Sequence, residues 1–390
     1  MELLKERSVI LMMKKNKIFS NILISCLLVS LTPLISSCAI ERMIGCLSKE
    51  KLNIYNWGEY MDYATIESFE EKYNVCVNIS TFPDNETVIT KMRLQSFDII
   101  FPSEVAVQQL VGEDRLEELD WSKIIVTNKD GQEVAFDAER DLIDPLYEHL
   151  QIMKNEQDFD YLKYAAPYFF QNITLVYNSD VISKEEIEEK QWDILRTPEY
   201  KGAMRESSRD AFMVALKQLG YSSNTTNLDE IAQAEQWLKQ QKDTMGTQIA
   251  YLIDEVIDDV PNGLYDVAMV FSGDAFTIMD ANSSINFYNP EKGTDICWDG
   301  MIIPKNAQNK EMAYKFISHM LSYENGLLNT EWVGYTSPLK EVYNDVMANL
   351  EDERLINVYS VITSPKDEVY KYDGPTKQAI ESAWSRVKAS

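Results

Sequence analysis

A chain of 390 residues, 45% hydrophobic and 26% charged, has the make-up of a water-exposed globular protein and is longer than one hydrophobic core usually organises, so two domains are expected. Its formal charge of −26 argues against nucleic acid and anionic membrane surfaces as partners and draws cations toward it. Acidity also serves solubility, so composition permits a cationic ligand without requiring one.

In chain order, Lys14, Lys15 and Lys17 precede an apolar stretch over residues 18–31 that is shorter than the ~20 residues a membrane-spanning helix needs. Residues 1–37 therefore read as a secretion signal, with Met12 and Met13 as alternative starts. The signal ends in "LISSC", which resembles the lipobox of bacterial lipoproteins and implies that Cys38 is lipidated. Residues 38–50 then form a tether, and more than one acyl chain, at about 0.8 kcal/mol per buried methylene, would hold the protein at the membrane surface. Loss of residues 1–37 removes five basic and two acidic side chains, which leaves the remainder more acidic still. Cys46, Cys76 and Cys297 show neither a disulfide framework nor metal-ligand spacing, and Cys76 in "NVCVNIS" is expected to be a small buried apolar residue.

From residue 51 short strands alternate with amphipathic helices, the pattern of an α/β fold with a sheet covered on both faces. "LNIYNW" leads into a helix starting near Asp62, with Ile66, Phe69 and Tyr73 on one side. "NVCVNISTF" is followed by a helix that Asp84 or Asn85 can cap, and "FDIIFPS" by another helix. The polar run "VTNKDGQEVAFDAERD" breaks the rhythm and is expected to be an insertion or a long surface loop. A strand resumes in "YFFQNITLVYNSD", and further units follow through "YKGAMRESSRDAFMVALKQLGYS", "LYDVAMVFSGDAF" and "CWDGMIIPKNAQNKEMAYKFISHML". No flexible linker is visible, so two lobes would be joined by a hinge made of strands. Trp57, Ser103, Phe271 and Asp274 fall at or just past the carboxyl ends of strands, where open α/β sheets bind ligands.

The stretches "YNWGEY", "DNETVITKM", "FDIIFPS", "PEYKG", "SSRDAFMVALKQLGYSSNT", "SGDAF", "WDGMIIPKNAQNKEMAYKFI" and "GYTSPL" follow the order and spacing of bacterial spermidine/putrescine-binding proteins, which the chain resembles from residue 51 to its end. The resemblance implies a two-lobed periplasmic-binding-protein-like fold of type II, each lobe a mixed sheet flanked by helices. Lobe 1 would comprise residues 51–173 and 297–343, and lobe 2 residues 174–296 and 344–390. It implies an exported lipoprotein, held at the outer face of the cell membrane or in the periplasm, that acts as a monomer. Such a receptor hands a polyamine to the membrane subunits of an ABC importer and needs no cofactor or metal.

Carried over by resemblance, Trp57 and Tyr60 match aromatic ligand contacts, Gly58 stands where the family often has a hydroxyl residue, and Ser103 matches a polar contact. Asp210 matches an acid that meets an amine, Asp299 the aspartate central to amine recognition, and Tyr335 a tyrosine near it. Phe271 stands where a tryptophan can stand, and a second acidic contact falls on Glu206 or Ser207 according to the alignment. Cys297 replaces an aromatic residue, with Trp298 beside it, and Val105 replaces a tyrosine. Asp254 in "AYLIDEV" is a further candidate for lining the cleft, or part of a solvated acidic face with Glu255 and Asp258.

These residue types suit an alkylammonium. Aromatic faces bury methylenes and attract each ammonium by ~0.5–2 kcal/mol, and charge-assisted hydrogen bonds to carboxylates add ~1.5–3 kcal/mol each. Micromolar binding needs about 8 kcal/mol net, so neither kind of contact suffices alone. Singly, each residue has a plainer reading: Trp57 or Tyr60 as packing, Asp210 as a first-turn carboxylate, Asp299 as a turn residue. A secreted hydrolase is the rival from another class, but the chain has only His149 and His319, and no nucleophile motif, phosphate loop or zinc-ligand cluster emerges. His319, in "YKFISHML", is expected to be a partly exposed helix residue. A receptor of the same fold for another solute is the remaining alternative.

Overall fold

A computed structural model describes residues 46, 48–361 and 364–390. The signal sequence and Cys38 lie outside the described residues. Strand β1 (Glu50–Trp57) runs parallel to β2 (Val75–Phe82), with Leu52 opposite Val77 and Trp57 opposite Phe82, and parallel to β3 (Ile99–Ile100) on its other side. The helix between β1 and β2, Tyr63–Tyr73, starts where Asp62 accepts a hydrogen bond from the Ala64 N–H. It stops at Asn74, whose φ of 52° is the left-handed conformation that asparagine tolerates. Helix Asn85–Lys91 is capped by Asp84 rather than Asn85.

The stretch expected to be a loop is folded. Its first half is a hairpin of β4 (Ile125–Thr127) and β5 (Glu133–Ala135), turned at Gly131 with φ 77°. Its second half includes the short helix Ala138–Asp141, capped by Asp137, and the helix that follows it, Asp144–Glu156, buries Leu146, Leu150 and Met153. Strands of three residues carry too little alternation to be seen in sequence.

The remaining strands are β6 (Ala165–Asn178), β7 (Gly202–Arg205), β8 (Ile249–Leu252), β9 (Val267–Phe271), β10 (Ile285–Tyr288), β11 (Asp295–Ile302) and β12 (Glu368–Val369). One sheet runs β2-β1-β3-β11-β6-β9-β7-β8, with β10 added on β6 and β12 on β11. It mixes parallel and antiparallel pairs. Strand β6 is its spine. Residues 165–172 pair with β11, and residues 173–177 pair with β9.

That division is also the division between apolar cores, and it makes the molecule two-lobed. Phe169 and Phe170 belong to a core built from β1–β3, the hairpin, β11 and the helix Lys310–Met320. Ile173 and Leu175 belong to a second core with Trp192, Phe212, Trp237 and Trp384, while Val176 joins a third around Val270 and Ile278. All but the last residue of β6 are buried, as expected of a strand covered on both faces. Cys76, expected to be a small buried residue outside any disulfide framework, is buried but disulfide-bonded, and Cys297 is a free buried cysteine.

Candidate functional site

Three strands, β3 running one way and β7 and β9 the other, lead into helices where the two halves of the sheet meet along β6. β3 leads through Ser103 into helix Glu104–Gly112, β7 through Ser207 into helix Ser208–Leu219, and β9 from Phe271 into helix Ser272–Ala281. Each of these helices carries an acid in its first turn, Glu104, Asp210 and Asp274, where the helix dipole favours negative charge. The fourth acid, Asp299, comes from the middle of β11 and sits opposite Ser103 across an antiparallel bridge. All four are buried.

Asp299 is only 3% exposed. Tyr60 donates its hydroxyl to Oδ2 at 2.7 Å, Gln171 reaches the same oxygen at 3.5 Å, and Oδ1 has no hydrogen-bond partner. The Trp57 indole Nε1 beside it is also buried without a partner. Burial pushes the Asp299 carboxyl up to about 6, against the opposing effects of Tyr60, Ser103, Arg209 and Trp57. Around it stand rings. Tyr60 meets Tyr335 edge-to-face at 5.3 Å and Phe169 at 5.2 Å, and Trp57 packs on Phe82 at 4.4 Å.

The other three acids share two arginines. Arg209 donates to Glu104 Oε1 at 3.2 Å and to Asp210 Oδ1 at 3.0 Å, and lies over the Tyr370 ring at 5.5 Å. Burial opposes its charge, but Asp210 and Glu104 prevail and hold its pKa above the ordinary value. Glu104 Oε2 has no partner, and burial drives this carboxyl up to about 7 in spite of Arg209. Arg205, the last residue of β7, lies 3.8 Å from Asp210 Oδ2 and 3.5 Å from Asp274 Oδ2. Its guanidinium carbon is 4.3 Å from the centre of the Phe271 ring. Tyr335 donates to Asp274 Oδ1 at 2.7 Å. That contact requires a glycine, because a Cβ on Gly273 would come within 2.0 Å of the Tyr335 ring.

Of the residues singled out from sequence, Trp57, Tyr60, Ser103, Asp210, Phe271, Asp299 and Tyr335 thus fall in one region, and others do not. Glu206 is exposed and pairs with Lys388 at 3.2 Å, so it points away from this cluster. Ser207 spends its side chain capping helix Ser208–Leu219 by accepting from the Asp210 N–H. Trp298, next to Asp299 on a strand whose side chains alternate, is fully buried in the first core against Tyr161, 5.5 Å away. Gly58 is exposed with open space where a side chain would be. Asp254 is exposed, yet near enough to Asp274 to help raise its pKa, behind the larger effect of burial. Sequence reading missed Arg205, Arg209 and Glu104. The signal available was the pair of arginines four residues apart in "MRESSRDAF".

Buried acids and rings gathered where the two halves of a mixed sheet meet are the architecture of a two-lobed solute-binding protein. The chain belongs to the bacterial extracellular solute-binding protein family, whose model matches residues 64–353. It is 29% identical over 297 residues to a spermidine/putrescine-binding periplasmic protein of Salmonella typhimurium, covering 74% of this chain and 78% of that one. It is 22% identical to a putrescine/cadaverine-binding protein of Pseudomonas aeruginosa, covering 87% and 94%. Among solved structures, a spermidine/putrescine ABC transporter substrate-binding protein of Streptococcus pneumoniae superposes with a TM-score of 0.67 at 27% identity, covering 87% of this chain and 99% of that one.

Proposed function

We propose that this protein is an extracytoplasmic receptor for polyamines, spermidine or putrescine, that delivers them to the membrane subunits of an ABC importer. The observation that carries the reading is Asp299, a buried carboxylate with one oxygen unpartnered, walled by the aromatic rings of Trp57, Tyr60 and Tyr335. An ammonium supplies what that oxygen lacks, a charge and a donor, while the rings take the methylenes. The names of the relatives support the same ligand class. Lobe 1 is assigned residues 51–173 and 297–343, and lobe 2 residues 174–296 and 344–390, closing about strands β6 and β11. The site does no covalent chemistry in this reading. Cys38 carries the lipid anchor, and the receptor works as a monomer. Replacing Cys38 with serine should release the protein from the membrane fraction.

Titration calorimetry of the purified protein with spermidine, putrescine and an uncharged sugar is the test. Saturable heat with at least one polyamine and none with the sugar is expected. Binding of the sugar alone would overturn the reading.

A further inference from the structure

Two groups expected in the ligand site, the Asp210 carboxylate and the Phe271 ring, are engaged by the protein's own cations: Arg209 donates to Asp210 Oδ1 at 3.0 Å, and Arg205 lies beside its other oxygen and on the ring. Arg205 and Phe271 end β7 and β9, two strands that pair directly, so the guanidinium lies on the ring beside it. The helices that follow the same two strands bring Asp210 and Asp274 to either side of that guanidinium, at 3.8 and 3.5 Å. A carboxylate pair with an aromatic face is the arrangement that recognises an alkylammonium. Here Arg205 completes it from within, 18% exposed at the side chain. Asp299 differs, because its hydrogen-bond partners are the uncharged Tyr60 and Gln171.

We infer that Arg205 stands in for one ammonium of the ligand and sets the length of amine the site accepts. The inference rests on the polyamine reading. With Asp210 answered by Arg209 and Arg205, and Asp274 by Tyr335 and Arg205, a triamine that places an ammonium at Asp299 must bring another up to the Arg205 guanidinium and be repelled. A short diamine ends before it. The receptor therefore prefers putrescine to spermidine, and the preference resides in a side chain that touches no carboxylate of the first lobe among its ion pairs.

The experiment compares dissociation constants for putrescine and spermidine in the wild-type protein, Arg205→Met and Arg205→Lys, with circular dichroism and thermal melts to establish folding. Wild type should favour putrescine by about tenfold or more, Arg205→Met should shift that ratio toward spermidine by about tenfold, and Arg205→Lys, which retains the charge, should preserve the preference. If Arg205→Met tightens both ligands equally, Arg205 acts only on total charge and the inference falls. A wild-type protein that favours spermidine also overturns it, while leaving the polyamine reading intact. Failure of all three folded proteins to bind either amine overturns both.

Discussion

The Asp299 carboxylate is destabilising until something cationic reaches it. Burial raises its pKa from 3.8 to about 6, so the folded protein holds the proton more tightly than the unfolded chain. The stability this group contributes is fully present below about pH 4 and is lost as pH rises through about 6. Asp299→Asn keeps the shape and an acceptor for Tyr60 but removes the charge. It should weaken polyamine binding by at least about tenfold while making the ligand-free protein more stable at pH 8, on the order of 1–3 kcal/mol. Urea unfolding and calorimetry on the same sample decide it. A variant that binds as well as wild type, or is less stable at pH 8, contradicts this account. Since an amine binds the ionised form, wild-type affinity should also fall as pH drops below about 6, and the variant should lose that part of the pH profile. Much of this cluster was legible because its members follow strand ends in quotable motifs. Glu104, Arg205 and Arg209 were not, because a charged side chain at a helix start or in a polar run reads as solvent-facing. Only the adjacency of β7 and β9 and the facing helix Glu104–Gly112 show that these three are enclosed.

Between elements, His319 ties helix Lys310–Met320 to helix Tyr63–Tyr73. It was expected to be partly exposed but is buried, with Nε2 2.8 Å from the Thr65 carbonyl oxygen and Nδ1 3.2 Å from Asn325 Nδ2. That pattern fits a neutral ring that donates from Nε2 and accepts at Nδ1. The helix pattern of "YKFISHML" does not reveal that helix Tyr63–Tyr73 lies across residue 319, so its burial is a tertiary fact invisible to periodicity. Burial lowers its pKa from 6.5 to about 4, more than the Thr65 contact raises it. The unfolded chain therefore takes up the proton first, and the stability from this ring, whole above pH 6.5, drains away as pH falls toward 4. His319→Gln, which can keep a donor to Thr65, should lose less stability between pH 7 and pH 5 than wild type, by about 1–2 kcal/mol, in denaturant titrations at the two pH values. An equal loss in both proteins would assign the acid sensitivity to other groups. The strand and helix units outside this pair were legible from alternation and capping, as with Asp62 and Ser207. The hairpin of β4 and β5 was not, since its strands are too short to carry a period.

Across the whole molecule the two lobes share one sheet, and β6 carries the backbone from one core to the other. Absence of a linker in the sequence pointed to such a hinge, but the contacts that hold the lobes together on the site side depend on partners more than 60 residues apart in sequence. Two stand out: Arg209 with Glu104, and Tyr335 with Asp274. The Tyr335 contact is the cleaner probe, because the tyrosine packs with the first core, its acceptor begins a helix that packs in the third, and Gly273 lets the ring approach. Tyr335→Phe preserves the aromatic face and deletes one hydrogen bond to a buried carboxylate, a loss of about 1.5–3 kcal/mol where the acceptor is charged. If the bond favours lobe closure, the ligand-free variant should show a larger radius of gyration by small-angle X-ray scattering than wild type, and ligand should restore the wild-type value. Affinity should then fall roughly tenfold, because part of the binding free energy goes into closing the lobes. Unchanged scattering together with unchanged affinity would mean that closure is set at the strands alone, and that these side-chain contacts follow the hinge instead of biasing it.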